Sequence, residues 1–145
     1  NIKISYKEVK ESLQNSDILV FTFGSSFVYK HIEKNIDVAN CHKIPAEEFD
    51  KRLLSIDEIS KAYSRFALVL NKINTNAKII FTISPVRHLR DGLENNNISK
   101  SILRLAIQEV QKNHDSTHYF PSSQNQEVFV DVVDAIDRHT GVLDQ

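Results

Sequence analysis

Methionine is missing from this chain of 145 residues, and the first residue is Asn1. The sequence is therefore expected to be a piece of something longer. Cysteine is almost missing: Cys41 stands alone, which excludes an internal disulfide framework and leaves the redox compartment open. An excess of charge of one sign is lacking too. The formal net charge is −1, so no basic field argues for nucleic acid or an anionic membrane as a partner. No apolar run approaches the roughly 20 residues that span a bilayer, and the polar, Lys-rich start has no signal-peptide pattern. These features argue against a membrane span and favour a cytoplasmic location. Gly-x-Gly-x-x-Gly and a P-loop lysine are both absent, which disfavours a nucleotide phosphate cradle. The loop after the first apolar run is not rich in Ser, Thr and Gly in the way a flavin phosphate requires. Cys41 adjoins His42, and His31, His88, His114 and His118 are further donors. No Cys-x-x-Cys or His-x-x-x-His spacing organises them, so neither a metal nor a cofactor is expected.

What is present suits one soluble domain with one core, residues 1–145: 41% hydrophobic and 26% charged. Ser5 and Glu8 form a capping-box pattern ahead of Val9 and Leu13, which predicts a short helix over 5–15. The run "ILVFTF" (18–23) reads as a strand buried on both faces. Residues 25–54 have mixed polarity and weak periodicity. Ser55 and Glu58 repeat the capping pattern before Ile59, Tyr63, Phe66, Val69, Leu70 and Ile73, so 56–73 is predicted helical. Residues 79–83 form a second strand, 84–97 a long loop, and Ser99 or Asn97 caps a third helix. Ile102, Leu103, Ala106, Ile107 and Val110 share one face of that helix. "THYF" (117–120) is a third strand, stopped by Pro121. The tail 125–138 is apolar enough to pack. No repeat, linker or low-complexity tract interrupts the order. Strands alternating with helices define an α/β class with a mostly parallel sheet.

In open α/β sheets ligands bind beyond the carboxyl ends of the strands. Two loops leave those ends, and Ser25, Ser26, Asn40, His42, Ser84, Arg87, His88 and Asp91 share one rim if the two strands are neighbours. Hydroxyls, imidazoles, a carboxylate, a guanidinium and an amide suit a hydrolase. Each also has a structural reading. Gly24 permits a turn, Ser25 and Ser26 cap one, the histidines hold loops, and Arg87 pairs with Asp91.

The blocks "FTFGSSFVY" (21–29), "VANCHKIPAEEF" (38–49), "IIFTISPVRHLRDG" (79–92), "NISKSIL" (97–103) and "YFP" (119–121) resemble, in order, those of the GSCFA family. That family is named after a Gly-Ser-Cys-Phe-Ala motif and is similar to the SGNH (GDSL-type) lipases and esterases. The resemblance implies a three-layer α/β/α fold, flavodoxin-like in its sheet, of which the chain is part. It implies a serine-dependent ester hydrolase acting on a small-molecule or glycan ester, an acylated glycan among them. In the SGNH relatives a serine near the first strand attacks, a late Asp-x-x-His supplies the base, and an oxyanion hole gathers donors from intermediate loops. In one register "GSSFV" (24–28) imitates the name motif, and Ser25 is the nucleophile, with His88 and Asp91 as the other catalytic candidates. In the other, Tyr29 and the distance to "ANCHK" match the family's second block, Gly-Thr-Ala-Trp-Val-Tyr. Gly24 and Ser25 then line the oxyanion side, and the name motif lies before Asn1. Gly24, Ser26, Asn40, His42, Lys43 and Arg87 are the substrate and oxyanion candidates. The sequence departs from the family at its end, where "DRH" (137–139) is one residue short of Asp-x-x-His and no proline follows. The alternative this leaves is a non-catalytic binding or structural domain.

Overall fold

The computed structural model describes residues 2–38, 41, 44–86 and 92–122, with side chains from Tyr6 onward. Helix α1 (Ile2–Asn15) leads into β1 (Ile18–Phe23). Strands β2 (Phe27–His31), β3 (Ile36–Val38) and β4 (Phe49–Leu53) follow, with a 3-10 turn at Ala46–Glu48. Then come α2 (Ile56–Leu70), β5 (Lys78–Ile83), α3 (Gly92–Asn113) and β6 (Thr117–Phe120).

The main sheet has the order β1-β5-β6, and both pairings are parallel. Each new strand is added on the same side. Two right-handed crossovers in one direction put their helices on one face, and α2 and α3 do pack together there. The strand register lines up Leu19, Phe21 and Phe23 with Ile79, Phe81 and Ile83. These meet Tyr63, Ala67 and Leu70 of α2 and Leu103, Ile107 and Val110 of α3 to form the core. Phe81 sits at its centre, with the rings of Phe21, Phe23 and Tyr63 at 5.8, 5.3 and 5.2 Å. The α/β class and the parallel sheet are as the sequence pattern predicts.

Helix α1 starts at Ile2, so Ser5 lies inside it and does not cap it, and three further expectations change. First, β1 is not buried on both faces. Its burial alternates, and Val20 is 56% exposed on the face turned away from α2 and α3. An apolar run can mark a one-sided strand as well as a two-sided one, because the apolar residues themselves do not say which face is covered. Second, the segment after Gly24 is an antiparallel sheet of order β3-β2-β4. Its strands are three to five residues long, too short for periodicity to register. The β2–β3 turn uses Asn35 at φ 53, a left-handed position that asparagine tolerates. Third, α3 starts at Gly92, whose φ is 77. Asn97 and Ser99 therefore lie inside the helix and do not cap it.

The capping box at α2 is present: Ser55 Oγ accepts from Glu58 N–H, and the Glu58 carboxylate accepts from Ser55 N–H at 2.8 Å. The helix ends at Leu70, and Asn74 organises the turn behind it. Its Oδ1 accepts from the N–H groups of Asn76 and Ala77, and its Nδ2 donates to Leu13 O and Ser16 O. One amide thus ties the end of α1 to the start of β5. Buried Thr117 is held in β6 by a 2.5 Å hydrogen bond with the hydroxyl of Tyr63. Burial raises the Tyr63 pKa above its ordinary value, and the bond to Thr117 opposes that rise. The tail 125–138 lies outside the described residues.

Candidate functional site

Because β1, β5 and β6 are parallel, their carboxyl ends form a single edge. Ser84 N–H donates to Phe23 O at 2.9 Å, and Ser122 Oγ donates to Ile83 O at 2.6 Å. Gly24–Ser26, Ser84–Val86 and Pro121–Ser122 are therefore neighbours on the edge where open α/β sheets place ligands. Asn40, His42, Lys43, Arg87, His88 and Asp91 lie outside the described residues.

The three residues after β1 have different environments. Gly24 is half-buried, Ser25 exposed and Ser26 fully buried. Ser26 N–H donates to Ser99 Oγ at 2.7 Å, and the Ser26 hydroxyl donates to the same oxygen at 3.1 Å. Ser26 O accepts from Leu54 N–H at 2.8 Å. Ser26 is thus a joint between β1, the end of β4 and α3, with its amide already used inside the protein. Gly24 does not have a positive φ; among the described glycines only Gly92 does. The backbone turn itself therefore does not demand glycine at 24. Ser84 has local roles: its Oγ accepts from Val86 N–H at 3.3 Å, and its carbonyl accepts from Lys100 Nζ. Lys100 also donates to Val86 O at 2.7 Å, so α3 clasps the first residues of the "SPVRHLRDG" loop.

Ser25 and Ser26 lie at one end of a cavity of about 550 Å³ beside β1. Its walls are mainly apolar, including Phe21, Phe23, Ile59, Phe66, Phe81 and Leu103. Asp37, Glu58, Lys61 and Arg65 add charge to its lining. Arg52 ties two of those charges together, at 2.9 Å to Asp37 and 2.8 Å to Glu58. The Glu58 carboxyl is held down to about 2 from 4.5, first by the hydrogen bond from Arg52 and then by Ser55. A carboxyl whose folded-state pKa is depressed contributes stability above its unfolded pKa and loses it as pH falls. Acid titration of the melting temperature should therefore show a fall between about pH 4.5 and 2 that is smaller in Glu58→Gln; an identical fall in the variant would dismiss this account.

The sequence reading missed two residues that shape this edge. Ser99 follows the α3 core stripe, four residues before Leu103 and seven before Ala106. A serine at that spacing is a signal that a polar group is buried on the apolar face. Arg52 left no comparable signal, because its partners Asp37 and Glu58 are 15 and 6 residues away along the chain. Among the described residues no group of three or more His, Cys, Asp or Glu side chains is placed to hold a metal ion. Among them, too, no helix is long and apolar enough to cross a membrane.

The parallel sheet, the helices packed on one face and the hydroxyl-bearing loops at its carboxyl edge define an α/β domain with its candidate site at the strand ends. The chain belongs to the GSCFA family, whose model matches residues 1–135. No curated protein and no solved structure gives a significant match.

Proposed function

We propose that this chain forms part of an SGNH-like, serine-dependent ester hydrolase domain, with an acylated glycan as its substrate class. The observation that carries this reading is the position of Ser25, exposed at the carboxyl end of β1 where a mainly apolar cavity begins. An ester has the two halves such a place can receive. The acyl group enters the cavity, and the carbonyl oxygen lies against Gly24 and Ser25. Glycine at 24 leaves the backbone open to close approach, which is what an oxyanion donor needs. Ser26 serves from behind, by fixing Ser25 through its bonds to Ser99 and Leu54. In this reading His88 and Asp91 belong to the catalytic group. Asn40, His42, Lys43 and Arg87 belong to the substrate and oxyanion wall.

Hydrolysis of p-nitrophenyl acetate, read beside labelling by a fluorophosphonate probe, tests the proposal. Ser25→Ala should lower turnover by about 100-fold or more, the scale of a lost oxyanion donor. If Ser25 is the nucleophile, the variant also loses all labelling; if it is a donor, labelling persists at the serine of the name motif in a chain that includes the residues before Asn1. Unchanged turnover in Ser25→Ala would remove Ser25 from the site. A wild-type chain that includes the name motif and neither turns over nor labels would favour a non-catalytic binding domain.

A further inference from the structure

A second cleft, of about 610 Å³, opens on the same carboxyl edge, between α3 and the ends of β5 and β6. Its two walls differ in chemistry. One is largely apolar, from Ile83, Tyr119 and Pro121. The other is a stripe of α3 formed by Asn97, Lys100, Ser101 and Arg104. Their spacing of i, i+3, i+4 and i+7 puts all four on one helix face, beside the stripe that carries Leu103 and Val110 into the core. Two of the four are cations, and no acidic side chain is among the described residues that line the cleft.

The cations are also held in place. Lys100 donates to the carbonyls of Ser84 and Val86, which fixes its ammonium at the loop. The Arg104 guanidinium lies over the Tyr119 ring, 4.3 Å from the centroid. That contact restrains a long side chain while its planar set of N–H donors stays available at an exposed position. An ordinary surface arginine would lose more conformational freedom on engaging a ligand.

We infer that this cleft binds the oxyanion of a small acidic sugar, a carboxylate or a phosphate, with Arg104 as its principal contact. Asn97 and Ser101 offer neutral hydrogen bonds for hydroxyl groups, and the opposite wall suits the less polar face of a ring. As a statement about the hydrolase substrate, namely that the acylated glycan is acidic, the inference rests on the function proposed above. As a statement about anion binding it does not.

Titration of the chain with D-glucuronate, glucose 6-phosphate and glucose at low ionic strength, followed by NMR or calorimetry, tests it without any turnover. At least one of the two acids should bind in the millimolar range, about −4 kcal/mol, and glucose more weakly. Which acid binds tells a uronate site from a phosphate site. Arg104→Gln should weaken the acid by about tenfold or more, because the charge-assisted contact is lost. Arg104→Lys should fall between the two, since it keeps the charge and loses the planar fork. Arg104 is exposed, so both variants should melt with the wild type, and a matching melting curve checks this. Acids that bind no better than glucose, or equally well to Arg104→Gln, overturn the inference. Either result leaves the Ser25 experiment untouched, and a chain that hydrolyses no ester can still bind the acid.

Discussion

Phe81→Ala is expected to lower the unfolding free energy by about 3–5 kcal/mol, the range for emptying a buried aromatic site. Phe81 is 4% exposed in the middle strand of the parallel sheet. Its ring touches Phe21 and Phe23 on the neighbouring strand and Tyr63 on α2. The loss combines transfer of the ring to water with a void that three other rings cannot close without leaving their own partners. A domain of this size holds only about 5–15 kcal/mol in all, so the melting temperature should fall by roughly 10 °C or more. Phe81→Leu keeps much of the volume and should lose about 1–2 kcal/mol. Chemical denaturation of the three proteins measures both values. A loss below about 1 kcal/mol in Phe81→Ala would mean that the sheet and α2 are not packed around this ring.

Ser99→Ala is expected to destabilise the fold by about 1–3 kcal/mol, the penalty for leaving a buried donor without its acceptor. Ser99 is 1% exposed and Ser26 fully buried. When Ser99 Oγ is removed, both the Ser26 amide and the Ser26 hydroxyl lose their acceptor. Ser26→Ala removes only the hydroxyl and leaves the amide bonded to Ser99, so it should be milder, about 0.5–1.5 kcal/mol. The order of the two variants is the informative result. Ser26→Ala as the more damaging would show that the backbone bond carries little. Because Ser26 follows Ser25 directly, Ser99→Ala should also slow any ester hydrolysis that uses Ser25, although Ser99 touches no substrate.

Much of the scaffold was legible in the sequence because its signals are local. The Ser55–Glu58 box announces α2, since a capping hydroxyl and its carboxylate partner sit three residues apart on one turn. The β-branched and aromatic runs at 18–23, 79–83 and 117–120 announce the strands. The helical repeat that includes Leu103, Ala106, Ile107 and Val110 announces α3. The small β2–β3–β4 sheet was not legible. Its strands are short, and their pairing partners, such as Phe27 with Leu53, are distant in the chain.

The same division runs through the candidate site. Sequence placed Gly24, Ser25 and Ser26 after one strand and Ser84 after another, and the wording of those blocks pointed to the GSCFA family. Only the resemblance set Ser25 apart from Ser26, because adjacent serines look alike until the chain closes around one of them. Tertiary structure separated them by giving Ser26 to Ser99, 73 residues away, and leaving Ser25 exposed beside the cavity. It also moved Ser99 from a helix start to a buried helix face and set Arg104 over Tyr119. The order of the helices and the parallel strands, the α/β class and the family were fixed by residues that act through their near neighbours. Which hydroxyl faces a ligand, which amide is already used and which cation lines a cleft depend on contacts between distant segments, and those exist only in the folded chain.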